Sequence, residues 1–216
     1  MIINRTWAMA SSETFSCKPI GEFVQRYLAE SMVSIDPFSR NREWATYTND
    51  LDPNTTARSH QEASEFLASL VNQNVKADLV IFDPPYSLEQ CSRSYKGVGR
   101  KVTMRDTQIF GRWTSHKNLV NRLLTPDGVF LYFGWNSNGM GKKRGFEITE
   151  LLLVSHGSAH NDTICIAEKR NPHYLEVKLG ETVGISRMSA TALLPGDGKS
   201  HDGEWSIRAG VNRKEG

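Results

Sequence analysis

Apolar positions along the chain recur either at helical spacing or in short continuous runs. Helical spacing predicts three helices, over residues 18–28, 60–72 and 117–124. The first has Pro19 near its start, where a missing backbone N–H is tolerated. The second follows Ser59 and contains Glu62, and the separation of three residues between them is typical of a capping box. Each of these helices is therefore expected to bury one face.

Continuous runs rich in β-branched and aromatic residues predict strands between the helices. These runs lie at residues 32–35, 44–48, 77–82, 129–133, 146–154 and 163–169. Acidic residues follow the first three runs, at Asp36, Asp50 and Asp83. Turn residues at 125–128 precede the fourth, and Gly157 lies between the last two. We expect the last two strands to be joined as an antiparallel pair.

The alternation of strands with helices predicts a Rossmann-like α/β sheet that is mainly parallel and ends in an antiparallel hairpin. Ligands of such sheets bind beyond the carboxyl ends of the strands. The three acids are therefore expected at the functional edge. Residues 1–170 are expected to form one domain, in which residues 87–113 lack periodicity and predict a long loop. Residues 171–216 predict a polar, partly flexible extension.

Charge is distributed unevenly along the chain. The net charge is only +2, but residues 87–144 contain 11 Lys and Arg against three Asp and Glu. The remainder of the chain is therefore acidic. A basic segment of this kind suits a polyanion such as nucleic acid, although a solvated charged loop has the same composition. The candidate phosphate contacts are Arg93, Lys96, Arg100, Lys101, Arg105, Lys142, Lys143 and Arg144.

Composition argues against several other classes of protein. The three cysteines, Cys17, Cys91 and Cys165, lack the paired spacing of a zinc or iron–sulfur site, so we expect reduced thiols and no metal. No apolar stretch reaches membrane-spanning length, and the first ten residues lack the apolar core of a secretion signal. A cytoplasmic protein without a membrane partner is expected. No G-x-G-x-x-G follows the first predicted strand, which argues against a dinucleotide oxidoreductase.

The segment Asp83-Pro84-Pro85-Tyr86, directly after the predicted strand 77–82, carries the most specific chemistry. An exocyclic amino group of a base is a weak nucleophile because its lone pair is delocalised into the ring. A carboxylate from Asp83 and a carbonyl from Pro84 can accept its two hydrogens, while consecutive prolines restrict the backbone between them. Tyr86 offers a flat ring on which an extruded base can stack. The alternative is a proline-rich turn beside a chance aromatic residue.

This segment resembles the signature D/N/S-P-P-Y/F/W of the amino methyltransferases of DNA, and Asp in first position is typical of the adenine-specific members. The compact chain is similar to phage or mobile-element forms of this family. The resemblance implies that Asp83 and the two prolines bind the target amino group and that Tyr86 stacks on the base. It also implies S-adenosylmethionine as cofactor and a Rossmann-like methyltransferase fold.

Upstream segments extend the resemblance to roughly residues 14–170. Residues 14–19 resemble the family's Thr-x-Lys-Pro segment, Asp36-Pro37-Phe38 its cofactor strand end, and residues 62–67 its adenine-contacting segment. The acid after the second strand is similar to the family's ribose-binding carboxylate, with Asp50 preferred over Asp52. The implied cofactor-binding residues are Phe15, Lys18, Pro19, Asp36, Pro37, Phe38, Asp50 and Glu62.

The chain departs from the family after Phe38, where a glycine-rich turn is usual and this sequence has Ser39-Arg40-Asn41. Without glycine, this loop is expected to keep ordinary backbone dihedrals. Arg40 is then a candidate ion-pair partner for the carboxylate of the cofactor. Trp135 follows a later strand and is a candidate for the wall of the base pocket, although such residues are more often part of the core.

The resemblance implies a DNA adenine N6-methyltransferase that flips its target base and recognises a short or relaxed sequence. Methylation of adenine in RNA, methylation of cytosine N4 in DNA, and a non-catalytic binding module that kept the fold are the alternatives. Specificity then has to come from residues 87–113, the basic turn at 139–144, the C-terminal extension or a partner chain. A homodimer and a separate specificity subunit are both candidates for that partner.

Overall fold

The computed structural model of the protein describes residues 1–11, 13–101, 103, 113–157 and 160–173. Within these residues, seven strands form a single sheet and four helices pack on it. The strands are β1 Ile2–Trp7, β2 Ser34–Asp36, β3 Tyr47–Thr48, β4 Ala77–Phe82, β5 Leu124–Gly134, β6 Phe146–Ser155 and β7 Thr163–Arg170. The helices are α1 Lys18–Ala29, α2 Ala63–Asn72, α3 Leu88–Gly97 and α4 Thr114–Leu123.

The strand order is β1-β6-β7-β5-β4-β2-β3. β7 runs antiparallel to both of its neighbours, and all other pairings are parallel. This sheet confirms the predicted Rossmann-like α/β architecture with an antiparallel C-terminal hairpin. Because β3, β2 and β4 are adjacent and parallel, their carboxyl ends lie at one edge, where such sheets bind their ligands.

Both faces of the sheet are covered, which explains why β4 is apolar at every position except Asp78. Val80 and Phe82 belong to the core cluster that includes α2 and α4 residues. Leu79 and Ile81 belong to the opposite cluster, which contains the buried face of α1. Alternate residues of a strand point to opposite faces, so a strand between two helical layers has to be apolar on both faces. β4 thereby anchors the residues that follow it.

β1 was not predicted from the sequence. It pairs in parallel with β6 at the edge of the sheet, and Ile2, Ile3 and Trp7 are all exposed. An exposed edge strand has no buried face, so its side chains need not alternate between apolar and polar. The pattern on which the other strands were predicted is therefore missing here.

The predicted start of α2 and its capping box are wrong. The helix begins at Ala63 rather than near His60, and its N-cap Glu62 makes no side-chain cap hydrogen bond. The buried hydroxyl of Ser59 has no hydrogen-bond partner. Glu62 instead accepts hydrogen bonds from residues more than 30 positions away. A long-range contact has taken the place of the local cap.

Three further predictions need correction. Residues 87–113 are not simply a loop, because they contain α3, whose N-cap Ser87 accepts a hydrogen bond from the Gln90 N–H. The predicted turn at 125–128 is part of β5, next to an irregularity in its pairing with β4. The predicted strand at 44–48 is reduced to Tyr47–Thr48.

Some predictions fall outside the described part of the chain. The last part of the predicted loop, including Arg105, lies in residues 104–112, and nearly all of the C-terminal extension lies beyond residue 173. In the residues that are described, no helix has the length and apolar character needed to cross a bilayer.

Candidate functional site

Three carboxylates converge at the carboxyl edge of the sheet, as predicted. Asp36 is the last residue of β2, Asp83 directly follows β4, and Asp50 lies two residues after β3. The charges of Asp83 and Asp50 both act on Asp36 and help to raise its pKa. Parallel adjacent strands therefore bring together three acids that are up to 47 positions apart in the sequence.

A cavity of about 540 Å³ lies at this edge. It brings together predicted residues from both parts of the site, and α3 contributes to its wall. The predicted residues that line it are Pro37, Phe38, Asp50, Glu62, Asp83, Pro84, Pro85, Tyr86 and Arg93. Side chains that were not predicted also line it, including Thr14, Asn49, Gln90, Cys91, Tyr95 and Trp113.

Four of the predicted cofactor-binding residues do not line this cavity. Phe15 is buried in the core against Phe133, with ring centroids 4.9 Å apart. The side chain of Lys18 is 85% exposed and lies 3.8 Å from Glu22. Pro19 occupies the first turn of α1. Asp36 is the fourth; it is buried next to Pro37, which lines the cavity.

The carboxylate of Asp36 is buried, with 3% of the residue exposed. Its Oδ1 accepts a hydrogen bond from the Phe38 N–H at 3.0 Å, which fixes the turn after β2. Burial, together with the nearby charges of Asp83 and Asp50, raises the pKa of Asp36 to about 8. Asp36 therefore holds the Pro37–Phe38 corner in place.

The loop after Phe38 does not keep ordinary dihedrals, so that prediction is wrong. Arg40 has φ 53°, in the left-handed region that favours glycine. Its N–H donates to Asp50 Oδ2 at 3.1 Å. Asp50 Oδ1 accepts from the Asp52 N–H at 2.9 Å. A left-handed turn is thus formed here without glycine, and the carboxylate of Asp50 holds it.

Asn49 joins the loops on either side of β3 and was not predicted. Its side chain is fully buried. The amide nitrogen donates to the carbonyl oxygens of Pro37 and Gln61, and the amide oxygen accepts from the Gln61 N–H at 3.0 Å. One side chain therefore satisfies three backbone groups on two loops of the cavity wall. An Asn after a strand is commonly a turn residue, so the sequence carries no distinctive signal for this role.

Asp83 and Tyr86 form a close pair on the opposite wall. The Tyr86 hydroxyl donates to Asp83 Oδ1 at 2.5 Å, and Thr14 Oγ1 lies 3.2 Å from the same hydroxyl oxygen. Burial raises the pKa of Asp83 to about 6, opposed by hydrogen bonds from Tyr86 and Thr14. The Tyr86 N–H donates to Gln90 Oε1 at 2.6 Å. Tyr86 is thus held at its backbone and at its hydroxyl.

A second cavity, of about 200 Å³, lies on the other side of Tyr86. Thr14, Tyr86 and Gln90 line both cavities and therefore form the partition between them. The indole of Trp135 also lines the second cavity, 41% exposed and edge-on to the Tyr86 ring at 5.9 Å between centroids. Trp135 is accordingly a wall residue and not part of the core.

The C-terminal end of α3 is connected to the predicted cofactor wall through Glu62. Arg100 Nη1 donates to Glu62 Oε2 at 2.6 Å, and the Tyr95 hydroxyl donates to Oε1 at 3.2 Å. Glu62 is therefore engaged by two side chains from the segment that follows the Asp83–Tyr86 turn. Arg100 consequently serves as an internal contact as well as a candidate phosphate contact.

The predicted phosphate-binding residues fall into two separate groups. Arg93 pairs with Glu89 at 3.1 Å on α3, and Lys96 and Lys101 are exposed nearby. Lys142, Lys143 and Arg144 form a short 3-10 turn that leads into Phe146. Phe146 pairs with Arg170, whereas Gly134 at the carboxyl edge pairs with Ile164, six residues away along β7. The turn therefore leads toward the opposite edge of the sheet, and Arg144 contacts Asn118 on α4.

In the described part of the chain, no group of three or more His, Cys, Asp or Glu side chains is arranged to hold a metal ion. The three acids at the sheet edge are tied to backbone N–H groups or to Tyr86. The groups that line the cavity include carboxylates, guanidinium groups, side-chain amides and aromatic rings.

Comparison with protein-family models and with curated proteins found no match. Among solved structures, the chain is similar to the Escherichia coli protein yhhF, described as a candidate methyltransferase, at 13% identity and a TM-score of 0.45, covering 72% of this chain and 86% of that one. It is similar to TrmN from Thermus thermophilus at 15% identity and a TM-score of 0.45, covering 70% and 48%. It is also similar to NSun6 from Pyrococcus horikoshii, solved with SFG, at 13% identity and a TM-score of 0.45, covering 67% and 50%.

The chain spans about half the length of the last two of these proteins. At identities of 13–15% and a TM-score of 0.45, the similarities assign no reaction, substrate or ligand to this chain. A functional assignment therefore depends on the geometry of the site.

Proposed function

We propose that this protein is an S-adenosylmethionine-dependent methyltransferase that methylates the exocyclic N6 amino group of a flipped adenine in DNA. The observation that carries the proposal is the placement of Asp83-Pro84-Pro85-Tyr86. This segment follows a buried strand at the carboxyl edge of the sheet and lines the same cavity as Phe38 and Asp50. The segment Asp83–Tyr86 and the expected cofactor-binding residues Phe38 and Asp50 thus line one cavity.

The residues of this segment suit an amino nitrogen as acceptor. The carboxylate of Asp83 and the carbonyl of Pro84 can each accept one amino hydrogen, which favours a tetrahedral nitrogen with an available lone pair. Bound S-adenosylmethionine would supply an electrophilic methyl group, so that a C–N bond forms as the C–S bond breaks. The proton lost from nitrogen passes to Asp83 or to solvent, and the pKa of about 6 at Asp83 allows it to accept a proton transiently.

The larger cavity fits the proposed cofactor in size and in donor set. Its volume of about 540 Å³ falls within the roughly 300–1,000 Å³ typical of small-molecule sites. Asp50 presents a carboxylate suited to ribose hydroxyls, Phe38 presents an apolar ring, and Glu62 lies at the start of α2. The left-handed turn at Arg40 brings backbone close to the cavity, as the glycine turn of the resembled family does.

The second cavity supports entry of the acceptor from the other side of Tyr86. It borders the catalytic segment through Tyr86 itself and carries a second aromatic side chain, Trp135. A base extruded from a stack needs an aromatic surface to replace its lost neighbours. Exposed cations on α3, beside the same turn, suit the phosphates that flank such a base.

Substitution of Asp83 by Ala tests the reaction. We expect methyl transfer to fall at least about 100-fold, the scale seen when one positioned polar group of an active site is removed. Binding of S-adenosylmethionine, measured by calorimetry, should change little because Asp50 and Phe38 remain. Asp127→Ala, at an exposed position of β5, is the matched control and should keep full activity.

Mass spectrometry of nucleosides from treated DNA and RNA identifies the acceptor. N6-methyladenosine formed only in RNA, or N4-methylcytosine formed in DNA, would replace the proposed substrate with one of the two related activities. Full activity of Asp83→Ala would refute the assigned role of this carboxylate. Absence of S-adenosylmethionine binding to the wild-type chain would favour a non-catalytic binding module.

A further inference from the structure

Thr14 begins a chain of hydrogen bonds that ends on Asp83. The Tyr86 hydroxyl donates to Asp83 Oδ1 at 2.5 Å, and Thr14 Oγ1 lies 3.2 Å from the Tyr86 hydroxyl oxygen. A tyrosine hydroxyl has a single proton, and Asp83 takes it. The Thr14 hydroxyl therefore donates to Tyr86, and the chain runs in one direction, from Thr14 through Tyr86 to the carboxylate. Hydrogen bonds that run in one direction polarise one another and strengthen the last acceptor contact.

The position of Thr14 is fixed by the core beneath it. Thr14 starts a short 3-10 turn, Thr14–Ser16, whose central Phe15 is buried. Gly21 of α1 allows this turn to approach, because a Cβ at Gly21 would lie 2.7 Å from the Phe15 carbonyl oxygen. The turn is also held by Arg42, which pairs with Glu13 at 2.9 Å. The Thr14 hydroxyl is thus presented to Tyr86 by a packed element.

We propose that Thr14 is a positioning residue for the reaction: it keeps the Tyr86 hydroxyl on Asp83, so that Asp83 remains an ionised acceptor until an amino group of the substrate takes the place of the hydroxyl. This inference rests on the proposed function. The Tyr86 hydroxyl and a substrate amino group would compete for the same carboxylate, since Tyr86 donates to one of its two oxygens. Thr14 acts in part through its hydrogen bond with the Tyr86 hydroxyl, and its own hydroxyl also lowers the pKa of Asp83.

The electrostatic surroundings of Asp83 agree with this role. Burial raises its pKa, and the hydrogen bonds from Tyr86 and Thr14 lower it, in that order of size. Removal of the Thr14 hydroxyl is therefore expected to raise the pKa further. Other charged or titratable groups also interact electrostatically with Asp83. They are Asp36 from β2, Arg40 and Arg42 from the loop after β2, Tyr132 from β5 and Cys165 from β7.

The test is the titration of the Asp83 side-chain carboxyl carbon by NMR in the full chain, which requires no enzymatic activity. In Thr14→Val, which removes the hydroxyl at similar volume, we expect the titration midpoint to move up by roughly half a pH unit, the equivalent of part of one hydrogen bond. Tyr86→Phe should move it further in the same direction. Thr14→Ser, which keeps a hydroxyl, should restore the wild-type midpoint. Thr55→Val, at another threonine that lines the cavity, is the matched control.

A double-mutant cycle separates positioning from general disturbance. Because part of the effect of Thr14 passes through the Tyr86 hydroxyl, Thr14→Val should cause a smaller shift in the Tyr86→Phe background than in the wild-type background. The acidic limb of the pH profile for methyl transfer should move with the NMR midpoint. An unchanged midpoint in Thr14→Val, or an equal shift in the Tyr86→Phe background, would overturn the proposal. If Thr14→Val does not fold, Tyr86→Phe decides alone: an unchanged midpoint there overturns it as well.

The same data distinguish this inference from the proposed function. Shifted midpoints in a protein that methylates no nucleic acid would support the hydrogen-bond chain and contradict the assigned reaction. An active adenine methyltransferase with unshifted midpoints would support the reaction and contradict the role of Thr14.

Discussion

The two walls of the larger cavity are held together by different kinds of contact. The loop wall, residues 36–62, is fixed by side chains that hydrogen-bond to backbone: Asp36 to Phe38, Asp50 to Arg40, and Asn49 to both flanking loops. The tyrosine wall, Thr14 with residues 83–90, adds side chains that bond to one another, namely Thr14, Tyr86 and Asp83, to the backbone contacts made by Gln90 and Ser87.

This difference matters because the two walls have different proposed tasks. Side chains that bond to backbone fix the path of the chain, and a ligand need not replace those bonds. The Tyr86–Asp83 contact uses the same carboxylate that a substrate amino group would use, so it has to be exchanged during binding. The loop wall is thus preorganised for the proposed cofactor. On the tyrosine wall, the proposed substrate would have to replace the hydrogen bond between Tyr86 and Asp83.

The largest expected effect on the free energy of unfolding is that of substituting Asn49. Asn49→Ala removes a buried hydrogen bond to Pro37 and two partly buried ones to Gln61, and we expect a loss of about 3 kcal/mol in the free energy of unfolding. Gln90→Ala on the tyrosine wall removes one partly buried acceptor and should cost about 1 kcal/mol. Urea denaturation of both variants measures the comparison, and equal losses would contradict it.

The next effect concerns Asp36 and pH. The pKa of Asp36 is about 8 in the folded protein, above its ordinary value of 3.8. The folded state therefore keeps a proton that the unfolded chain releases, and the contribution of Asp36 to stability is lost as pH rises from about 4 to about 8. Asp36→Asn cannot ionise but can still accept from the Phe38 N–H.

Relative to wild type, Asp36→Asn should gain more than about 1.4 kcal/mol of stability between pH 5 and pH 8, the equivalent of at least one pKa unit. Denaturant unfolding at the two pH values gives this difference. Asp127→Asn, at an exposed position, should gain nothing. If the difference in unfolding free energy between Asp36→Asn and wild type is the same at both pH values, Asp36 is not a buried, protonated acid in the folded protein.

The smallest effect is expected at Arg40, where the loop wall adopts φ 53°. Arg40→Gly should change the free energy of unfolding by less than about 1 kcal/mol, because glycine accepts this region without strain. Arg40→Val should destabilise the protein by about 1–2 kcal/mol, since a β-branched residue resists positive φ. Thermal unfolding of the two variants provides the measurement. Similar stabilities for both would indicate that the turn can relax to another conformation.

Features set by local sequence were predicted well. β4 and the turn after it follow from a nearly continuous apolar run that is followed by Asp83 and two prolines, and α1 follows from regular spacing behind Pro19. The convergence of Asp36, Asp50 and Asp83 also follows, because parallel strands end at one edge. The predicted capping box failed because Glu62 bonds to Arg100 and Tyr95 instead.

Features set by distant contacts were not predictable in the same way. The left-handed turn at Arg40 depends on the carboxylate of Asp50, ten residues away. The contact between Thr14 and Tyr86 joins residues 72 positions apart. α3 lies in a polar segment whose buried residues are only Cys91 and Tyr95, so its apolar spacing is too sparse to identify. In each case a tertiary contact determines what the local pattern leaves open.

The placement of Trp113 and Trp135 gives each cavity its own optical reporter. Trp113 lines the larger cavity and is 6% exposed, whereas Trp135 lines the smaller one beside Tyr86 and is 41% exposed. Their indoles should therefore emit at different wavelengths, with Trp113 toward the blue. One variant with Trp113→Phe and another with Trp135→Phe would each leave a single one of these two indoles. Their fluorescence would then follow binding of the proposed cofactor and of the proposed substrate separately, and would give the order in which the two cavities fill.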